Sequence, residues 1–294
     1  MFSIIGILVV LGGIIGGYLM EHGNLLVLMQ PAEFVIIGGA AAGALLIANP
    51  LHVLKGIIGS LMLAFKGEKY DRKYYLETLK MLNMLFTTGR KNGDQALEAE
   101  IEDPKASASF SSFPKFQKDH HAIAFVCDTI RMSLMGGSPY DLDQLMEIDA
   151  DSHHHESSEP VTALQTTADA LPGLGIVAAV LGVVITMGAL GGPPEEIGHK
   201  VAAALVGTFL GILMCYGFIG PLAARISGIN LAEQQYYLCL RNAVISYAKG
   251  CAPIMAVEYG RRSVPGHLRP SFQDLETACK GGSAEQVAEV AAAA

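Results

Sequence analysis

Charge is distributed along this chain in blocks, and this distribution limits the possible folds more than any other feature of the sequence. Two long blocks, residues 1–52 and 172–222, are almost free of Asp, Glu, Lys and Arg, whereas the remaining charged residues lie in 53–171 and 223–294. The charged residues inside the two apolar blocks are Glu21, Glu33, Glu195, Glu196 and Lys200. Because a soluble domain mixes charged and apolar residues throughout its length, this segregation indicates a membrane protein.

The apolar blocks contain four segments that approach the ~20 residues needed to cross a bilayer as a helix. These segments are Phe2–Met20, Phe34–Ala48, Pro172–Leu190 and Val201–Leu222. The second would extend only about 23 Å at 1.5 Å per residue, so it must use its flanks, thin the bilayer or lie inside a bundle. A cleaved signal peptide is the alternative for the first segment, but that segment has neither a basic start nor an A-x-A site after it.

The positions of Lys and Arg predict the orientation, because positive residues concentrate on the cytoplasmic side of a membrane. Lys55, Lys66 and Arg225 closely follow the second and fourth segments, whereas the connections 21–33 and 191–200 contain one lysine between them. We therefore expect both termini and residues 53–171 to be cytoplasmic.

The charged blocks are predicted to be helical as well. Leucines recur at helical spacing before Gly93, and Ser138 followed by Pro139 has the pattern of an N-cap with proline at the first helical position. Another helix is expected to begin after Pro160, and one more to cover 231–249. No alternating run of residues predicts a sheet.

These elements predict an all-α integral membrane protein with four transmembrane helices and a helical cytoplasmic domain. The predicted domains are 1–52 with transmembrane helices one and two, 53–171 as the cytoplasmic helical domain, 172–222 with helices three and four, and 223–294 with the cytoplasmic C-terminal helices. The low-complexity tail from Gly281 is predicted to be mobile or a short frayed helix.

Motifs for catalysis or for binding a metal or cofactor are weak or absent, so we predict no enzyme, no cofactor and no metal site. Gly173, Gly175 and Ala178 fit G-x-G-x-x-A, but no strand precedes them. The run His153–His155 could bind a metal, although its acidic, serine-rich surroundings favour a solvated bend. The net charge of −8 argues against nucleic acid as a partner. Five cysteines without C-x-x-C spacing indicate reduced thiols: Cys127, Cys215, Cys239, Cys251 and Cys279.

None of the four apolar segments has a charged residue or a histidine in its interior, although proton carriers in membranes normally rely on such side chains. If the protein moves protons, another chain must therefore supply the carboxylate. Thr186 and Thr208 are the main hydroxyls of the third and fourth segments, and each could bond its own i−4 carbonyl or offer an oxygen to a pore. Small residues at one-turn spacing predict close helix packing, either within the chain or with other subunits, at Gly12 and Gly16, Gly13 and Gly17, Gly39 and Gly43, and Ala203, Gly207 and Gly211.

Several stretches of the sequence resemble the MotA/PomA family of flagellar stator subunits, most closely the proton-type MotA proteins, and together they cover nearly the whole chain. They are GGYL at 16–19, QPAEFVIIGGA at 30–40, LPGLGIVAAVLGVV at 171–184, VGTFLGILMCYGFIGPLA at 206–223, AVEYGRR at 256–262 and RPSF at 269–272. The wider superfamily with ExbB and TolQ shares features of the last two spans.

The resemblance implies a subunit of the bacterial inner membrane, in contact with lipid, that forms a ring of five copies around two single-span MotB-like helices. The MotB-like partner would supply the ion-binding Asp, and ion flow would turn the ring and push the rotor protein FliG. Two alternatives remain open: an ExbB/TolQ-type proton-driven energiser of an envelope process, and a membrane scaffold without transport.

The resemblance also implies roles for individual residues. The family's rotor-contacting charges fall on Arg90 and Glu98, and its two functional prolines fall on Pro172 and Pro221, where a kink could act as a hinge or simply mark the membrane interface. Sodium-type members carry a threonine where this chain has Ala179, and a methyl group cannot coordinate sodium. We therefore expect protons to be the transported ion, with Ala179, Thr208 and Thr186 as candidate residues of the ion path.

Overall fold

The computed structural model describes residues 2–66, 69–188 and 190–280, and these residues form helices joined by turns, with no strand among them. The predicted all-α fold class is confirmed, while the predicted tail from Gly281 lies outside the described residues. The helices are α1 (Phe2–Met20), α2 (Leu25–Leu28), α3 (Pro31–Ala48), α4 (Leu51–Phe65), α5 (Arg72–Asn92), α6 (Asp94–Glu102), α7 (Ala108–Ser111), α8 (Pro114–Gln117), α9 (His120–Leu134), α10 (Pro139–Met187), α11 (Pro194–Leu213), a π-helix (Met214–Ile219), α12 (Gly220–Ala248), α13 (Pro253–Ser263) and α14 (Phe272–Cys279).

Four helical stretches of the described chain are long and apolar enough to cross a membrane, as predicted. The second differs in its start, because helix α3 begins at Pro31 rather than at Phe34. Proline is favoured at the first position of a helix, where its missing N–H costs nothing. The 18 residues of α3 extend about 27 Å, which removes most of the expected shortfall in length. The earlier start also places Glu33 inside this helix.

Helix α10 is one continuous helix, which corrects two predictions. Ser138 caps its start as expected, since its Oγ accepts a hydrogen bond of 3.2 Å from the backbone N–H of Asp141. The helix does not begin after Pro160, however, but contains it, and the run His153–His155 is helical rather than a solvated bend. A proline removes only its own donor, so the remaining hydrogen bonds and the buried residues on either side maintain the helix.

The helix predicted for 231–249 is confirmed as part of α12, which begins earlier, at Gly220. The reason is that α11, the π-helix and α12 follow one another without an interruption of helical structure.

The first compact unit consists of Met1–Gly67 and Glu156–Ile229. Its described part contains two buried apolar clusters. One cluster joins α3, α10 and α11 through residues such as Ile37, Ala178 and Val206. The predicted domain boundaries concern which residues lie in the membrane, and they stay a prediction.

Helix α4 was not expected as a separate element beside the apolar segments. Val53, Ile57 and Ala64 on one of its faces are buried in the second apolar cluster of this unit, whereas Ile58 and Met62 are exposed. A 15-residue amphipathic helix is too short to span a bilayer and is typical of a helix that lies along a membrane surface.

The second compact unit consists of Glu68–His155 and Asn230–Ala294, and its described part has one large apolar core. The leucines before Gly93 belong to α5 and are buried in it, and the helix ends at Gly93 with φ at +84°, a conformation that favours glycine. Tyr236 is fully buried in this core, where its hydroxyl shares a hydrogen bond of 3.1 Å with Thr78.

Two of the family motifs, AVEYGRR and RPSF, meet in the second unit around one buried arginine. Arg261 donates to both carboxylate oxygens of Glu258, from Nε at 2.6 Å and from a terminal nitrogen at 2.7 Å, and its other terminal nitrogen donates to the Pro270 carbonyl at 2.9 Å. Hydrogen bonds from Arg261 lower the pKa of Glu258 below its ordinary 4.5. Burial acts in the opposite direction but is outweighed. These motifs therefore have a structural role.

We expect Arg261→Met to lower the stability of the second unit by at least about 2 kcal/mol, because it removes three charge-assisted hydrogen bonds from a buried site. Arg262→Met is the matched control, since Arg262 also contacts Glu258 but its side chain is 74% exposed, and it should change stability by less than about 1 kcal/mol. The measurement is unfolding of the detergent-solubilised protein. Equal losses in both variants would contradict a structural role specific to Arg261.

The lowered pKa of Glu258 also sets the sign of the pH dependence. The stabilisation from this pair is complete above the ordinary carboxyl pKa and is lost as the pH falls through the lowered pKa.

Candidate functional site

Helices α10 and α11 approach each other so closely that their backbones touch at glycines. A Cβ built on Gly211 would lie 2.5 Å from the Leu171 carbonyl oxygen and 2.9 Å from the Gly175 Cα. A Cβ built on Gly175 would lie 2.8 Å from the Gly207 carbonyl oxygen. Since real Cβ atoms do not approach this closely, the contact requires glycine. The predicted close packing at Gly207 and Gly211 is confirmed within the chain, and the next contact along α11 uses Ala204 rather than Ala203.

The glycine pattern that resembles a dinucleotide motif is explained by the same contact. Gly173, Gly175 and Ala178 lie inside the helix α10, with no strand before them, and Gly175 and Ala178 are buried. The nucleotide-binding alternative is therefore wrong for this segment, because it requires a strand, a turn and then a helix.

The small residues of α1 and α3 behave differently. Within the described chain, nothing lies within 4 Å of a Cβ built on any of them, namely Gly12, Gly13, Gly16, Gly17, Gly39 and Gly43. These glycines therefore have open space around them in the single chain.

Ala179 and Thr208 lie beside the glycine contact on facing helices. The backbone nitrogen of Ala179 is 3.2 Å from a Cβ built on Gly207, and the Cα of Thr208 is 3.3 Å from a Cβ built on Gly175. Both residues are half-buried. The structure thus brings two of the three predicted ion-path residues together.

Thr186 is separate from this pair. It is buried, and its Oγ1 donates a 2.8 Å hydrogen bond to the carbonyl of Gly182 in its own helix. It lies about 10 Å along the helix axis from Ala179. Of the two alternatives for this hydroxyl, the structure shows the local i−4 bond.

A carboxyl group reaches the same contact and was missed by the sequence analysis. A Cβ built on Gly207 would lie 2.6 Å from Oε2 of Glu33 and 3.1 Å from the Ala178 Cβ. Glu33 exposes only 6% of its surface. The sequence analysis found no charged residue in the interior of the four segments and took the second to begin at Phe34, so it did not consider Glu33, which lies in the first turn of α3. The signal available in the sequence was Pro31, which marks the start of the helix two residues before Glu33.

The two candidate hinge prolines lie in helical surroundings. Pro172 is inside α10, one residue after Leu171, whose carbonyl faces Gly211. Pro221 is the second residue of α12, and only Gly220 separates it from the π-helix Met214–Ile219. A proline ring clashes with the carbonyl four residues earlier, and a π turn widens the helix at that point. Such turns are frequent at functional sites.

Arg90 and Glu98 lie in the second unit, and both are exposed. Arg90 is in the last turn of α5, and Glu98 is in the following helix α6. Neither forms an ion pair with another residue in the part of the chain that the structure describes. Their charges are therefore available at the surface.

The histidine run and the cysteines do not form a metal site in the described ranges, where no group of three or more His, Cys, Asp or Glu is arranged to hold a metal ion. The ring of His153 stacks on that of His121, with centroids 3.9 Å apart, and its Nε2 lies 3.5 Å from the Glu233 carboxylate. All five cysteines are free thiols.

Comparison with known proteins agrees with this architecture. Residues 4–93 match the family described as motility protein A N-terminal, and residues 117–237 match the MotA/TolQ/ExbB proton channel family. Motility protein A of Salmonella typhimurium and that of Escherichia coli are each 39% identical to this chain over 277 residues, which is 94% of either sequence. Chemotaxis protein LafT of Vibrio parahaemolyticus is also 39% identical, over 94% of this chain and 97% of its own.

The chain belongs to the motility protein A family. Its fold is similar to that of the flagellar MotAB stator complex from Bacillus subtilis, with a TM-score of 0.73 and 24% identity over 94% of this chain and 98% of that one. C. jejuni MotAB gives a TM-score of 0.75 with 19% identity over 92% and 98% of the two chains. The predicted family and the predicted stator role are confirmed.

We expect Gly211→Ala to destabilise this motility protein A family member by about 1–3 kcal/mol, because the added methyl group would force the backbones of α10 and α11 apart. Gly198→Ala is the control on the same helix, since nothing lies within 4 Å of a Cβ built there, and its stability should be unchanged or slightly higher. The measurement is thermal unfolding of the two purified variants. If Gly211→Ala unfolded at the wild-type temperature, the backbone contact would not limit stability.

Proposed function

We propose that this stator subunit works as a proton channel together with a MotB-like single-span partner and converts proton flow into torque on the rotor. The observation that carries the proposal is the 39% identity to motility protein A across 94% of the chain, which includes both helices of the glycine contact. The related solved structures are MotAB complexes, and this supports a partner of the MotB type. The family is one of channels rather than enzymes.

The alternative of an ExbB/TolQ-type energiser is less well supported. The match at residues 117–237 is to a family that includes those proteins and therefore does not separate the two functions. The match at residues 4–93 is to the N-terminal part of motility protein A. This N-terminal region, with α1 to α5, supports the stator over the energiser and over a scaffold without transport.

We place the protein in the bacterial inner membrane, with both termini and the second unit in the cytoplasm. Support comes from the lysines and the arginine that follow the second and fourth spans, Lys55, Lys66 and Arg225, under the positive-inside rule. The exposed apolar side chains of α1 and α4 would contact lipid.

The ring of five copies and the contact with FliG belong to the same proposal. The small residues of α1 and α3, which have open space around them in the single chain, are suited to close contacts with neighbouring helices. The charges of Arg90 and Glu98 are exposed and unpaired within the described chain. They are suited to a contact with the rotor that forms and breaks repeatedly, because charges at the edge of an interface steer binding without contributing to the fold.

The ion path is proposed to follow the glycine contact, with Ala179 and Thr208 beside the partner's Asp. A sodium ion needs several oxygen ligands in place of its hydration shell. Ala179 offers only a methyl group, and the Thr186 hydroxyl donates a hydrogen bond to a carbonyl of its own helix. A proton needs only an acceptor group, so these residues are better suited to protons.

Swimming speed should therefore not depend on sodium. This chain and its partner would be expressed in cells that lack other stators, and speed would be measured at fixed proton motive force while external sodium is raised from near zero. A sodium-driven stator in the same medium provides the positive control. If speed required sodium, the proton assignment would be wrong while the stator role would stand.

The charge reversals Arg90→Glu and Glu98→Lys should leave ring assembly intact and remove most of the swimming speed, because they alter a contact with the rotor. The hinge substitution Pro172→Ala should have the same result, because it restores a backbone donor at the proposed hinge. Assembly is measured by co-purification with the partner, and torque by rotation of tethered cells. Lys115→Glu, at an exposed residue of α8, is the control for a reversal elsewhere on the second unit. Loss of assembly would indicate a structural role instead.

A further inference from the structure

Glu33 is a buried carboxyl group for which neither the fold nor the proposed path yet has a use. It lies in the first turn of α3, inside a stretch long and apolar enough to span a membrane, and only 6% of its surface is exposed. Its Oε2 has no hydrogen-bond partner among the described residues. Leaving such an atom unpaired in an apolar setting is costly, and acidic groups at membrane depth generally have a function.

The position of this carboxyl is determined by the absence of a side chain on α11. Oε2 occupies the space that a Cβ of Gly207 would need, at 2.6 Å, and that same Cβ would lie 3.2 Å from the Ala179 backbone nitrogen. Thr208 is the next residue along α11. The carboxyl thus reaches the point where α3, α10 and α11 meet, beside both residues proposed to line the ion path.

The helices α2, α3, α10 and α11 have no other titratable group at this level. Helices α2 and α3 contain no further ionisable side chain, and α10 has none between Pro172 and Met187. Those of α11 are confined to its first two turns: Glu195, Glu196, His199 and Lys200. Protonation or deprotonation of Glu33 would therefore change the charge at the glycine contact between α10 and α11.

The start of α11 carries the surface groove that lies nearest to this carboxyl along the helix. A groove of about 370 Å³ lies between α2 and α11 and is lined by Val27, Glu195, Gly198, His199 and Ala202. Glu195 and His199 are exposed. Ala202, the lining residue nearest to Gly207 in the sequence, is about 8 Å along α11 from it. Under the proposed orientation, this groove opens on the periplasmic side.

We propose that Glu33 is a proton-exchanging residue of the ion path. In this step the Glu33 carboxylate takes a proton from a hydronium ion that enters from the groove; one O–H bond of the hydronium breaks to leave water, and an O–H bond forms on Oε2. That bond breaks when the proton moves on beside Ala179 and Thr208 to the carboxylate of the partner. The inference rests on the proposed function, since it names a further residue of the same path.

The test uses the complete complex with its partner in cells that lack other stators. Glu33→Gln keeps the size and hydrogen-bonding ability of the side chain but cannot release a proton, and it should slow rotation at least about tenfold while the ring assembles normally. Glu33→Asp keeps the carboxyl and should rotate, with a changed dependence of speed on external pH. Glu21→Gln, at an exposed acid just after α1, is the control and should rotate like the wild type.

Each outcome is decisive. Rotation of Glu33→Gln at the wild-type rate would overturn the proposal, and so would failure of both Glu33 variants to assemble, which would mean that the carboxyl is structural. If only Glu33→Gln failed to assemble, Glu33→Asp would decide, because an unchanged pH profile would also overturn the inference. The proposed function fails separately, if the wild-type complex itself gives no proton-dependent rotation.

Discussion

The first unit depends on the backbone contact between α10 and α11. Dispersion forces are strongest where atoms approach most closely, and in a membrane the hydrophobic effect does not drive helices together. Gly175, Gly207 and Gly211 allow that approach because their missing side chains let carbonyl oxygens and Cα atoms meet directly. The contact leaves little freedom in the relative position of these two helices.

The same contact determines which side chains can act together. Ala179 and Thr208 flank it, and the space left open by Gly207 accepts the Glu33 carboxyl from a third helix. A methyl group on Gly207 would displace that carboxyl as well as strain the helix pair. Packing and chemistry therefore depend on one residue, and the glycine that stabilises the helix pair also admits a polar group to its side.

The motifs that identify the family have different physical roles. LPGLG and VGTFLG supply the glycines of the helix contact. AVEYGRR and RPSF supply Arg261 and its acceptors Glu258 and Pro270, which join α13 to the segment after it in the second unit. The exposed charges Arg90 and Glu98 belong to neither contact, which leaves them available for the rotor contact proposed from the family resemblance.

The sequence by itself determined the four spans, the helical class, the cap at Ser138, the helix before Gly93 and the family, because each depends on residues that are neighbours along the chain. It misplaced the start of the second span and divided α10 at Pro160, because the cost of a proline or a carboxyl in a helix depends on what packs around it. Only the tertiary structure decided that Ala179, Thr208 and Glu33 meet while Thr186 bonds within its own helix. The physical reason is that α3, α10 and α11 come together at a glycine. The sequence shows that this residue has no side chain, but it does not show which group of another helix will fill the space.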